Sequence, residues 1–217
     1  MSGAVATTTD DFGDFYDERR AASDLRRYRE KGPRPWTRTL IESLKAEGVE
    51  GATLLDIGGG VGVIHHELLA AGAASATCVD ASAAYLATAS AESERRGHAE
   101  RVTYRHGDFV ELAESIPPAD IVTLDRVINV YPDWRRLAEL SAARAQRLYG
   151  LVYPRDRRLV RLIIFAMNGV LRLRGKRVRA SVHPADAIEH VLRESGLSLQ
   201  SSRNAGPAWQ VAVYRRL

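Results

Sequence analysis

The chain reads as an α/β protein: a seven-stranded, mostly parallel sheet with one antiparallel strand, helices on both faces and an N-terminal helical cap. Three observations predict this. Short apolar runs alternate with helix-length amphipathic stretches from residue 52 onward, and strand–helix alternation builds a parallel sheet covered on both faces. Four glycines crowd into positions 58–62, directly behind the first run, in TLLDIGGGVG (53–62). The last two strand-like runs, 197–203 and 208–216, have no helix between them, so one of them lies antiparallel.

Each element carries its own signal. Residues 1–13 are small and polar and are read as a disordered N-terminus. Residues 14–50 form the cap. Its first helix, 14–30, alternates acid and base around Phe15, Leu25 and Tyr28 and is broken by Gly32, Pro33 and Pro35; its second, 36–47, ends at Gly48. The α/β domain occupies 51–217. ATLLDI (52–57) has no polar alternation, as a strand buried on both faces requires. A helix at 62–72, a strand at 75–80, an Ala-rich helix at 82–96 and a strand at 101–108 follow. After Pro117 and Pro118 come a strand at 119–125, a helix at 134–146 and a strand at 147–154. Residues 157–173 are apolar and helix-length, and 183–196 has proline near its start and glycine at its end. NAGP (204–207) joins the closing hairpin. There is no internal repeat.

Composition excludes several classes. A 217-residue chain buries a substantial core without disulfides or metals. The single Cys78 has no internal partner, which fits a reducing compartment. The N-terminus lacks the basic-then-apolar pattern of a leader, and no apolar run reaches the ~18 residues of a membrane span. The expectation is a cytoplasmic protein. Thirty-one basic against 27 acidic residues leave +4, too mild a charge to point to nucleic acid. Monomer and homodimer are both open.

The glycine cluster holds the chemistry. In an open α/β sheet, ligands sit at the carboxyl ends of the strands where strand order reverses. A glycine turn there lets backbone approach a ligand, and the next helix offers free N–H groups. A phosphate-cradling P-loop needs GxxxxGK[ST], and no such Lys is present. The dinucleotide spacing GxGxxG fails at Val63 or at His65, depending on its start. The spacing that fits is D-x-G-x-G-x-G: Asp56, Gly58, Gly60, Gly62. His65 and His66 lack the i,i+4 spacing or the Cys partner of a metal site and are read as structural; no metal is expected.

That pattern resembles the first motif of class I S-adenosylmethionine-dependent methyltransferases, a Rossmann-like fold. The resemblance covers roughly residues 36–217 and continues downstream. It implies S-adenosylmethionine as cofactor. Asp80, in CVDAS, would accept both ribose hydroxyls, and Asp108, in HGDF, would approach the adenine amine. Ala81 and Phe109, next to those acids, Asp125 on the methionine side and Tyr28 from the cap complete the implied contacts. Each acid also reads as a plain helix cap. Four further segments look like the branch containing magnesium-protoporphyrin O-methyltransferase: DLRRYREKGPRP (24–35), DRVINVYPDW (125–134), LYGLVYPRD (148–156) and VHP (182–184). The chain departs from that branch at Val130, where the porphyrin enzymes carry His, and membership of the branch does not by itself fix the substrate.

The acceptor pocket is expected beyond the fourth and fifth strands. Arg126 pairs with a substrate carboxylate or with a surface acid, Tyr131 and Tyr153 form an aromatic wall or ordinary core, and His183 is a general base or a turn residue. Residues 155–179 hold nine basic residues and one acid around an apolar stretch. They read as a lid over an apolar acceptor (157–174), as a peripheral membrane contact, or as a buried helix with a solvated end; the lid is favoured. The resulting expectation is a methyltransferase acting on a small molecule with a large apolar body, by O-methylation. Methylation of RNA or protein, and a non-catalytic cofactor-binding regulator, are the alternatives.

Overall fold

The computed structural model describes residues 9–217. Residues 1–8 of the expected disordered terminus lie outside the described residues; residues 9–13 belong to a helix, α1 (Thr9–Phe15). The cap continues with α2 (Glu18–Lys31) and α3 (Pro35–Ala46). The helix expected over 14–30 is thus two. The carboxylate of Asp17 accepts the Arg20 amide and caps α2, which turns the chain at Tyr16. Pro35 opens α3, where its missing N–H costs nothing.

The α/β domain runs β1 (Thr53–Ile57), α4 (Val63–Leu69), β2 (Ser75–Asp80), α5 (Ala83–Arg96), β3 (Val102–His106), α6 (Phe109–Leu112), β4 (Ala119–Asp125), α7 (Trp134–Arg144), β5 (Ala145–Pro154), α8 (Arg158–Leu173), α9 (Ala185–Glu194), β6 (Leu197–Ala205) and β7 (Trp209–Arg216). The strands form one sheet in the order β3-β2-β1-β4-β5-β7-β6. β7 runs antiparallel to both β5 and β6, while the pairs from β3 through β5 are parallel. The order reverses between β1 and β4, which places a crevice at their carboxyl ends.

Two cores sandwich the sheet, and alternation along each strand assigns side chains to them. Leu54, Ile121, Leu148, Val211 and Val213 meet Leu40, Ile41 and Leu44 of α3 and Ile64 and Leu68 of α4. Leu55, Val122, Tyr149, Ala212 and Tyr214 meet Leu137 and Ala142 of α7 and Ile188 and Leu192 of α9. Each fully buried Leu or Ile contributes about 1.5–3 kcal/mol, and that burial holds the ends of β1, β2 and β4 in register. A third, smaller cluster of Ala21, Val61 and Tyr85 seats the cap on the glycine loop.

Candidate active site

The floor of the crevice is the loop leaving β1. Gly58, Gly60 and Gly62 all have positive φ, at 63°, 60° and 85°, a region that costs a side-chain-bearing residue about 1–2 kcal/mol. A Cβ at Gly58 would also lie 2.5 Å from Val127, so that glycine serves packing. At Gly60 the nearest atom to a Cβ would be the Tyr85 ring at 3.6 Å, so this position faces the crevice. Asp56, buried beneath the loop, accepts from Thr123 Oγ1 at 2.8 Å and bonds His65 Nδ1 at 2.9 Å. His65 and His66 are wholly buried behind the floor, and burial, with His65 alongside, lowers the His66 pKa to about 2.

Asp80 ends β2 beside the loop. One carboxylate oxygen accepts the Gly60 amide at 2.9 Å and the other the Ser82 amide at 2.8 Å. Burial pushes its pKa up to about 6 against the pull of those two amides. A carboxylate offers about four acceptor sites, so capacity remains for donors from a ligand. Ala81 follows, its carbonyl bonded by His106 Nε2 at 3.1 Å. Asp108 caps α6 through the Val110 amide at 2.8 Å and receives the Tyr131 hydroxyl at 2.8 and 3.0 Å. Phe109 is buried in the core.

The cap is the roof. Ser82 Oγ donates to the Tyr16 carbonyl at 2.6 Å, and the Tyr16 ring stands edge-on to Tyr85 at 5.6 Å. Tyr85 donates to Asp24 at 2.8 Å, and Arg34 also reaches Asp24, at 3.3 Å. Thr37 Oγ1 donates to Asp125, tying α3 to the end of β4. Tyr28 donates to Glu67 at 2.7 Å and lies under Arg96. Beneath this roof is a cavity of about 90 Å³, lined by the glycine loop, Asp24, Arg27, Arg34, Tyr85, Asp125 and Arg126 among others. Sites that enclose small ligands measure roughly 300–1,000 Å³, so the roof must lift to admit one. A larger cleft of about 400 Å³ lies on the outer side of Tyr28, between α2 and α5, and includes no glycine-loop residue in its lining.

Arg126 is the one non-glycine among the described residues with positive φ, at 63°. Its guanidinium lies 5.5 Å from the Trp36 ring and 5.9 Å from Trp209 and bonds Asp125 at 3.2 Å. Burial works against its charge, but Asp125 and Tyr16 raise its pKa on balance.

The crevice therefore brings together Asp56, Gly58, Gly60, Tyr28, Asp125 and Arg126, with Asp80 bonded to its floor; Gly62 is outside the lining, its missing side chain making room for His65 and His66. It does not gather the other acceptor candidates. Tyr153 is buried in the core, and His183 stacks on Trp134 at 4.7 Å with its pKa lowered by burial. Neither, nor Tyr131, is in the cavity lining. Residues 157–174 contribute nothing to that lining either, so the expected lid does not cover this cavity. Sequence reading missed Tyr16, Asp24, Arg27, Arg34, Thr37 and Tyr85. All but Tyr85 come from the cap; Asp24, Arg27 and Arg34 lie in the family-like segment 24–35, but only Tyr28 of that segment was given a contact.

Residues 54–146, which hold the glycine loop and the ends of β2 and β4, match the family model described as a methyltransferase domain. The chain carries such a domain, of the class that uses S-adenosylmethionine. The comparison with curated proteins gave no match. Among solved structures, magnesium protoporphyrin IX methyltransferase from Synechocystis PCC 6803 with bound S-adenosylmethionine is 18% identical with a TM-score of 0.72, covering 100% of both chains. An O-methyltransferase family protein from Burkholderia thailandensis is 15% identical with a TM-score of 0.70, covering 98% of this chain and 64% of that one. Mitomycin 7-O-methyltransferase is 22% identical with a TM-score of 0.68, covering 95% and 60%. At these identities the likeness is one of fold.

The residues present suit this cofactor. It carries no phosphate, and the loop lacks the lysine of a P-loop; Gly60 opens a backbone approach, and Asp80 retains acceptor capacity beside it.

Proposed function

We propose that the chain transfers a methyl group from S-adenosylmethionine to an oxygen of a small molecule with a large apolar body and an anionic group. The observation that carries this reading is Arg126, held in a strained backbone conformation with its guanidinium beside two indoles at the end of β4. Strain of about 1–3 kcal/mol persists where surrounding structure enforces it, often at functional sites. A guanidinium there pairs bidentately with a carboxylate, while Trp36 and Trp209 accept an apolar body.

Asp80 would hold the ribose hydroxyls, Asp125 would face the methionine part, and Asp108 with Phe109 would border the adenine. Bound, the cofactor supplies the electrophilic methyl; the protein positions an acceptor oxygen in line with it. A carboxylate acceptor is already ionised near pH 7 and needs no base. That agrees with a cavity whose acids are engaged: Asp24 with Tyr85 and Arg34, Asp125 with Thr37 and Arg126.

The test is methyl-labelled cofactor incubated with the full chain and a fractionated cell extract. Label is expected in small acidic molecules, as an O-methyl product heavier by one methylene, and Arg126→Met is expected to raise the acceptor KM at least tenfold with cofactor affinity kept. Label confined to RNA or protein, or no transfer despite cofactor binding, would overturn this reading.

A further inference from the structure

The outer face of α8 has no role in the site described above. Its inner face, Val160, Ile164, Asn168 and Leu171, is the less exposed one. Asn168 fixes that orientation: its amide donates to the Ala180 carbonyl at 2.7 Å and its carbonyl accepts the Ala180 amide at 3.0 Å. At about 100° per residue, Leu159, Leu162, Ile163, Ala166, Val170 and Leu173 then occupy one outward sector about 100° wide. All six are exposed, with Leu173 at 90%; Phe165, 76% exposed, lies about 60° beyond the sector.

Basic residues frame this sector. Arg158, Arg161 and Arg172 follow Phe165 along one edge, and Arg155, Arg157, Arg174, Lys176, Arg177 and Arg179 lie beyond the helix ends. The single acid of the segment, Asp156, is bonded by Arg161 at 2.5 and 2.8 Å. No carboxylate of the described residues pairs with Arg158 or Arg172.

We infer that α8 is a docking helix for an anionic lipid surface. An apolar sector that enters the acyl boundary, with guanidiniums reaching headgroup phosphates, is the arrangement such a surface rewards. Charge complementarity selects this occupant. A second copy would bring one nine-fold basic frame against another. A nucleic acid would meet an apolar centre where its phosphates need cations. α8 is too short and too flanked by charge to cross the bilayer, so the contact lies in the interface. Lys176 and Arg177 also hold α1, through the Asp14 carbonyl and the Asp11 carboxylate, so the lipid face adjoins the roof of the cavity.

The test is flotation of the full chain with phosphatidylcholine vesicles, with and without roughly one-third phosphatidylglycerol, alongside its sedimentation state. Binding is expected with the anionic vesicles and weak with the neutral ones. Raising salt to ~0.5 M, where the screening length is roughly 4 Å, weakens it about tenfold. Paired Leu162→Asp and Phe165→Asp, both on exposed positions, lower binding at least tenfold with the melting temperature and cofactor affinity unchanged. Arg158→Gln with Arg172→Gln weakens anionic binding and leaves neutral binding alone. Three results would each overturn the inference: no flotation with anionic vesicles, equal flotation of the aspartate variant, or a wild-type dimer that this variant dissolves. Retained cofactor binding in any of them leaves the proposed function untouched.

Discussion

Asp80 titrates in a useful range, so its role can be tested without removing it. Its carboxyl is pushed up to about 6 by burial, and both oxygens accept backbone amides. Ribose hydroxyls donate to the ionised form, so a cofactor must displace the proton before it gains that contact. Affinity is then flat above pH 7 and falls toward tenfold per pH unit below about 6; at pH 5 the dissociation constant is roughly tenfold higher. Asp80→Asn keeps shape but loses acceptor charge. Charge-assisted hydrogen bonds contribute about 1.5–3 kcal/mol each, so one lost bond weakens binding at least ~tenfold and two ~100-fold. The same residue acts oppositely on the ligand-free protein. Its folded pKa lies above its ordinary value of 3.8, so the stability it contributes is full below about pH 4 and is lost as pH rises through about 6, by up to about 3 kcal/mol. Asp80→Asn therefore melts higher than wild type at pH 7.5, and the two converge near pH 4. Calorimetric titration and thermal melts across pH 5–8 read both effects. A wild-type affinity that does not change across that range, or an identical slope in Asp80→Asn, refutes the assignment of ribose binding to this carboxylate.

Three further outcomes are expected. Tyr16→Ala removes an aromatic contact worth about 0.5–1.5 kcal/mol from the roof, so stopped-flow association of cofactor should quicken by roughly two- to twelvefold; an unchanged rate means the roof is not the gate. Glu92, wholly buried, binds Arg29, Arg95 and Arg96, and chiefly Arg95 holds its pKa far below the ordinary carboxylate range. Its stability is present above the unfolded pKa near 4.5 and lost as pH falls below it; Glu92→Gln should cost about 1–3 kcal/mol in a denaturant melt at pH 7, and no loss would mean α2 is held to α5 by packing alone. Arg126→Gly relieves about 1–2 kcal/mol of backbone strain and should raise the melting temperature while turnover collapses; a variant that remains fully active removes Arg126 from acceptor binding.

What the sequence made legible was local. The β1 run with its glycines, the acid at the end of β2 and the helixless final pair are each written in consecutive residues, and each recurs in the fold at nearly the expected position. The roof was not legible because it is assembled across long separations: Asp24 meets Tyr85 across 61 positions and Thr37 meets Asp125 across 88. Asp24 and Asp125 each open a family-like segment, but nothing in their neighbourhoods says which distant side chain each meets. The Asp17 cap that divides the expected first helix was a readable signal, an N-cap acid inside a charged run. For 157–174 the apolar content was legible but not its direction, because Asn168 and Ala180, not hydropathy, decide which face turns outward.

In the function proposed above, the glycine loop and Asp80 together hold the cofactor beneath the cap. A crystal structure of the full chain with S-adenosylhomocysteine tests it most directly. Both ribose hydroxyls should lie about 2.5–3 Å from the Asp80 carboxylate, with the ligand passing over Gly60 and Tyr16 displaced from its place above Ser82. A ligand seated elsewhere, in the cleft between α2 and α5 for instance, or bound with Tyr16 unmoved and Asp80 out of reach, would contradict it.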